Sequence, residues 1–153
     1  MMLRRRAARE ATVPGADERS VVPEIAGIHH VSVTVTDIER SVPWYTEVLG
    51  LTKLMDETHP DGKGHAVILG KPDFSMCVGL HTHQANQRER FSETRTGLDH
   101  VSFMVANRAE LDAWDARLTE LDLEHSPVND QGAYAVLVFR DPDNIQLEFI
   151  SMG

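Results

Sequence analysis

Two imidazoles and a carboxylate occupy polar positions of predicted strands. His30 and His100 each begin a segment of alternating polarity, and Glu148 lies in a third such segment. Together they suit a divalent first-row metal ion such as Fe, Mn, Ni, Co or Zn. Three protein ligands leave positions for water or substrate, as in catalytic rather than structural sites. A single histidine at a strand end is usually only hydrogen-bonded, but three such residues on equivalent faces favour one metal site.

The segments that begin with the two histidines are copies of one pattern. In residues 97–105, Val101, Phe103 and Val105 alternate with His100 and two further residues, Ser102 and Met104. Residues 27–35 repeat this alternation around His30, at a separation of 100 − 30 = 70 residues. Alternation with a period of two predicts a strand with one face on a core. The repetition predicts one module that occurs twice.

Each module is predicted to contain a strand, a helix and three further strands. In the first, a strand at 28–35 is followed by a helix at 38–49, capped by Asp37 and ended by Gly50, and by strands at 51–55, 65–69 and 74–80. In the second, a strand from residue 97 precedes a helix that starts near Asn107, a short edge strand at 123–125, and strands at 133–139 and 145–151. The predicted fold class is α+β: two tandem βαβββ modules forming an eight-stranded curved mixed sheet around a cleft, with the helices outside.

Composition divides the chain and excludes some partners. Residues 1–24 are polar and aperiodic and are predicted to be a disordered extension, followed by a first module at 25–81, a linker at 82–96 and a second module at 97–153. The net charge of −9 gives no general attraction to nucleic acid or to an anionic membrane, and no apolar run is long enough to span a bilayer. A single cysteine, Cys77, and a start without a secretory signal predict a cytoplasmic protein.

Four strings of this sequence carry a family resemblance: residues 30–37, Trp44–Tyr45 before residues 49–51, residues 98–101, and residues 141–148. In these strings the chain resembles the vicinal oxygen chelate superfamily, the group of glyoxalases, bleomycin-resistance proteins and extradiol dioxygenases. The resemblance runs from about residue 28 to residue 150. It implies paired βαβββ modules, frequent homodimers, and metal ligands at the positions matched by His30, His100 and Glu148.

Further site residues are predicted from the same resemblance. Glyoxalase-like members have a fourth ligand on the last strand of the first module, where the alternation places Cys77, either as a thiolate ligand or as a small buried side chain. Glu148 could act as both ligand and base. His81 and His83 are alternative ligands or proton carriers, and Tyr134 is a further candidate acid or base.

Two classes of function remain open at this stage. The first is a metal-dependent lyase, isomerase or dioxygenase that chelates two adjacent oxygens of a small substrate on one divalent ion. The second is a protein of the same fold that binds a drug or aromatic molecule without a metal. The complete set of His30, His100 and Glu148 favours the enzyme.

Overall fold

The computed structural model describes residues 23–153. Most of the predicted extension, residues 1–22, lies outside the described residues, and residues 23–29 form neither helix nor strand. The elements follow in the order β1 (His30–Thr34), α1 (Ile38–Leu49), β2 (Thr52–Thr58), β3 (Gly64–Gly70), β4 (Cys77–His83), β5 (Val101–Val105), α2 (Arg108–Glu120), β6 (Asn129–Asp130), β7 (Tyr134–Arg140) and β8 (Gln146–Met152). The tandem βαβββ fold class is confirmed.

The eight strands are hydrogen-bonded as two sheets of four. The strand orders are β1-β4-β3-β2 in the first module and β5-β8-β7-β6 in the second. In both sheets the first strand of the module pairs in parallel with the last, and the other pairs are antiparallel. Among residues 23–153, strands β1 and β5 therefore each lie at a sheet edge with one hydrogen-bonded neighbour.

Two predicted strands are corrected by the structure. The strand predicted at 74–80 runs instead from Cys77 to His83, because Phe74 adopts a positive φ of 59° in the turn that precedes it. The edge strand predicted at 123–125 was wrong, since the short edge strand is β6 and His125 forms only an isolated bridge to Phe139. Pro127 lacks a backbone donor, which interrupts pairing between these two points.

Both helices begin at the predicted side-chain caps. The Asp37 carboxylate accepts hydrogen bonds from the backbone N–H groups of Glu39 and Arg40, and the Asn107 side chain accepts one from Glu110. Helix α1 ends at Gly50 with φ of 67°, a conformation that costs glycine little. Within residues 23–153, neither helix is long and apolar enough to cross a membrane.

A stack of aromatic rings joins the two modules. Trp44 of α1 stacks on Phe139 of β7 with 6.4 Å between ring centroids, Phe139 stacks on Phe149 at 5.0 Å, and Phe149 stacks on Trp114 of α2 at 4.2 Å. These rings belong to one apolar core that combines buried residues of both modules. The sheet faces that carry the helices are thus packed together, and the opposite faces point away from this core.

Polar contacts from the turn before β8 also hold the modules together. Asp141 is 5% exposed; its carboxylate accepts a hydrogen bond from the Tyr45 hydroxyl at 3.0 Å and others from the backbone N–H groups of Asp143 and Ile145. Asp143 accepts hydrogen bonds from the backbone N–H and hydroxyl of Thr36, and pairs with Arg40. Burial raises the pKa of Asp141 to about 6, although its hydrogen bonds act in the opposite direction.

The raised pKa of Asp141 predicts a pH-dependent stability. The folded pKa of about 6 exceeds the usual aspartate pKa of 3.8, so this carboxyl stabilises the fold most below about pH 4 and loses that contribution as the pH rises through 6. Two pKa units correspond to roughly 3 kcal/mol at most. We expect the unfolding free energy of wild type, relative to Asp141→Asn, to fall by about 2–3 kcal/mol between pH 4 and pH 7.5. Urea denaturation at several pH values measures it, and a constant difference would contradict the assignment.

Candidate metal centre

The first module has a polar face on the side of its sheet opposite α1, here called the first open face. It comprises the outward side chains of β1 to β4, including His30, Ser32, Cys77 and His81. A cavity of about 510 Å³ on this face is lined only by residues of the first module. Its lining combines imidazoles with apolar groups, among them Met55, Ile68 and Phe74, so the face could hold a substrate with a polar end and an apolar body.

The corresponding face of the second module, the second open face, carries Glu148. Its carboxylate accepts a hydrogen bond from the Ser102 hydroxyl at 2.7 Å, and none of the ion pairs within residues 23–153 involves it. Val138 pairs directly with Glu148. Tyr134 shares this face but pairs with Met152, four residues or roughly 13 Å further along the sheet. The structure therefore separates Tyr134 from Glu148 within one chain.

The two predicted histidine ligands are held alike. Each lies three residues after a glycine, Gly27 or Gly97. The backbone φ of these glycines is 156° and 150°, values that residues with a side chain rarely adopt. His30 Nδ1 lies 2.9 Å from His29 Nδ1, and His100 Nδ1 lies 2.7 Å from the Asp99 carboxylate. An engaged Nδ1 fixes the ring and leaves Nε2 for another partner, as in many metal-binding histidines. The donor types and their second contacts fit a divalent metal ion.

One chain does not bring the three predicted ligands together. His30 lies on the first open face, whereas His100 and Glu148 belong to the second module, and the open faces point away from the shared core. Within residues 23–153, no three His, Cys, Asp or Glu side chains already form a group that could hold a metal ion. Each open face therefore carries part of the predicted ligand set.

The strand register corrects the position assigned to Cys77. Ser102 pairs with Glu148 in the second module, and its counterpart 70 residues earlier, Ser32, pairs with Gly79. The first-module counterpart of Glu148 is thus Gly79. Cys77 pairs with His30, two residues earlier, and is only 3% exposed. Alternation alone could not distinguish positions 77 and 79, because both belong to the same face of β4.

A cluster of histidines lies on the first open face, around the C-terminal part of β4. His59 Nε2 lies 3.0 Å from His81 Nδ1, and the His59 ring centroid lies 4.9 Å from that of His83. Burial and the neighbouring imidazoles of His59 and His83 lower the pKa of His81, which favours its neutral form. Sequence reasoning missed His59 because it lies in the turn-rich loop between β2 and β3, where no periodicity shows its direction.

Large exposed apolar side chains concentrate around the two open faces. Within the part of the chain that the structure describes, those at least 37% exposed are Met55 and Phe74 beside the first open face, Met104, Tyr134 and Met152 on the second, and Ile25, Ile28 and Leu98 just before β1 or β5. Apolar surface gathered in this way marks a site of interaction. Together with the unpaired edges of β1 and β5, it indicates where a further surface would cover the chain.

Comparisons with known proteins agree with this architecture. Residues 27–149 match the family model described as Glyoxalase/Bleomycin resistance protein/Dioxygenase superfamily. A glyoxylase/bleomycin resistance protein/dioxygenase domain from Frankia sp. EAN1pec superposes with a TM-score of 0.76 at 33% sequence identity, over 85% of this chain and 94% of that one.

Two curated relatives point to different reactions. The putative ring-cleaving dioxygenase MhqA of Bacillus subtilis is 27% identical over 89% of this chain, which spans only 44% of MhqA. The lactoylglutathione lyase of Haemophilus influenzae is 28% identical over 80% of this chain and 90% of its own length. The matched region includes both modules and nearly every described strand, and the chain therefore belongs to the glyoxalase/bleomycin resistance protein/dioxygenase superfamily.

Proposed function

We propose that this protein is a metal-dependent enzyme whose centres form between two copies of the chain. Each centre combines His30 of one copy with His100 and Glu148 of the other. The observation that carries this proposal is the distribution of the three residues over two open faces, beside the free edges of β1 and β5. A twofold dimer would use the same pair of edges twice and form two identical centres.

Edge-to-edge contact of β1 with β5 of a second copy accounts for several features together. It would extend two four-stranded sheets into one of eight strands, whereas the sequence predicts such a sheet from the two modules of a single chain. It would place His30 and His100 on adjoining strands, with Glu148 one strand further. It would also cover exposed apolar residues such as Ile28, Leu98 and Met104, whose burial favours association by about 25 cal/mol per Å².

The residues of such a centre suit a small substrate with two adjacent oxygens. A bound divalent ion such as Fe, Mn, Ni, Co or Zn supplies electrostatic stabilisation of negative charge on those oxygens. The chain supplies the ligands and an apolar wall, to which Val136 and Val138 contribute from the second open face and Ile68 from the first. Glu148, whose only side-chain hydrogen bond in the described residues comes from Ser102, would accept a substrate proton in this proposal.

The names of the two curated relatives support two alternative reaction types for this proposed enzyme. A glyoxalase-like lyase or isomerase reaction moves a proton next to a carbonyl group, whereas a dioxygenase opens an aromatic ring with O₂. The identity of the metal separates them, since iron suits oxygen chemistry and nickel, cobalt, manganese or zinc suit proton transfer. A cytoplasmic location and the absence of nucleic-acid and membrane partners stay predictions.

The metal proposal predicts one ion per chain. Titration of chelator-treated protein with Mn²⁺, Ni²⁺ or Fe²⁺ (the latter without oxygen) should show this stoichiometry. His30→Ala and Glu148→Gln should weaken binding by more than about 100-fold, because even outer contacts of metal ligands contribute 10- to 100-fold. His65→Ala is a matched control, since His65 pairs with Asp56. Undiminished binding of an aromatic ligand in proteins that bind no metal would favour the drug-binding alternative instead.

The shared centre predicts complementation between two defective variants. His30→Ala and Glu148→Gln each damage both centres of their own homodimers. A mixed dimer regains one intact centre from the undamaged residues of each chain. After unfolding and refolding at equal amounts, about a quarter of the centres should be intact, because half of the dimers are mixed and each has one intact centre of two.

The complementation is measured as recovered metal stoichiometry, with each variant refolded alone as the control. Analytical ultracentrifugation of the same samples reports whether a dimer forms. Zero recovery in a confirmed mixed dimer would contradict the shared centre, as would a monomeric wild type that binds metal at full stoichiometry.

A further inference from the structure

The two modules differ at one equivalent position of their open faces. The pairs Ser102–Glu148 and Ser32–Gly79 occupy the same register in the two sheets. The second module therefore presents a carboxylate beside its serine, and the first module presents no side chain there. If the repeat were symmetrical, the metal centre would receive a donor from position 79.

The space above Gly79 is filled by other polar atoms. A Cβ atom built on Gly79 would lie 2.3 Å from Ser32 Oγ and 3.1 Å from His81 Nε2. His81 is two residues further along β4 and on the same face, so its ring leans back over the glycine. Nε2 of His81 therefore lies close to the point where the side chain of an acidic residue at position 79 would begin.

The surroundings of His81 hold its ring in this direction. His59 Nε2 engages His81 Nδ1 at 3.0 Å, which leaves Nε2 without a hydrogen-bond partner in the described residues. The titratable groups that act on the pKa of His81 are those of His59, His83, Glu57 and, from β1, His30. His81 thus shares two features with His30 and His100: a neighbouring side chain engages Nδ1, and Nε2 makes no hydrogen bond within the described residues.

We propose that His81 is a metal ligand and supplies, through Nε2, the donor that Gly79 cannot supply. The inference rests on the proposed metal centre and extends it to His30 and His81 of one copy with His100 and Glu148 of the other. It gives Gly79 a specific role, since a side chain there would displace the His81 ring or the Ser32 hydroxyl. It assigns no ligand role to Cys77.

The test is Ni²⁺ affinity and the visible absorption of the Co²⁺-loaded dimer. His81→Ala should weaken Ni²⁺ binding by at least about 10-fold and change the Co²⁺ absorption bands, because the number of imidazole ligands falls. His81→Gln, which keeps a polar side chain, should show the same loss of Ni²⁺ affinity. His65→Ala, a histidine engaged with Asp56, should match wild type in both measurements.

A rescue variant separates ligation from a general effect on the fold. Gly79→Glu combined with His81→Ala places a carboxylate where the second module has Glu148, and the Ser102–Glu148 hydrogen bond shows that serine and glutamate fit this register together. This double variant should recover most of the Ni²⁺ affinity lost in His81→Ala. Recovery without a histidine at 81 is not expected from a purely structural role.

The outcomes distinguish the two proposals. If wild type binds no metal, both are wrong. If wild type binds Ni²⁺, His30→Ala abolishes binding, and both His81 variants keep wild-type affinity and Co²⁺ absorption, then the metal centre stands and the role of His81 is overturned.

Discussion

The packing of the two helix-bearing sheet faces against each other determines what the rest of this molecule can do. Trp44, Phe139, Phe149 and Trp114 form a continuous stack from α1 to α2, and these rings belong to the apolar core that the two modules share. Because this contact uses the helix-bearing faces, both histidine-bearing faces remain open. The same contact leaves β1 and β5 at sheet edges. A site that needs both open faces must therefore obtain the second from another molecule.

The polar contacts around Asp141 give this packing its precise register. A buried carboxylate is costly, as the raised pKa of Asp141 shows, so the contact contributes less to net stability than its hydrogen bonds suggest. Asp141 nevertheless engages both the Tyr45 hydroxyl of the first module and the backbone of its own turn. A shift of one module against the other would leave these groups buried without partners. The turn that begins β8 is thus tied to α1, and with it the strand that carries Glu148.

The sequence predicts the positions of the strands and helices better than the packing of the two modules against each other. Alternation and caps located most strands and both helices, since each depends on nearby residues. The displacement of β4 to residues 77–83 depends on the positive φ of Phe74, which no periodicity reveals. The types of the three predicted ligands follow from the repeat. Their separation within one chain does not, because it depends on which faces of the two modules share a core.

The same limit explains why the first-module counterpart of Glu148 was misplaced. Positions 77 and 79 share a face of β4, so only pairing with β1 decides between them, and this parallel pairing connects residues about 47 positions apart. Once Gly79 is assigned, its missing side chain becomes informative, because the Ser32 side chain and the imidazole of His81 occupy the space. A duplicated module need not keep its donors at equivalent positions, provided that a neighbouring residue on the same face reaches the same place. Register, rather than residue type, determines which positions of the two halves correspond.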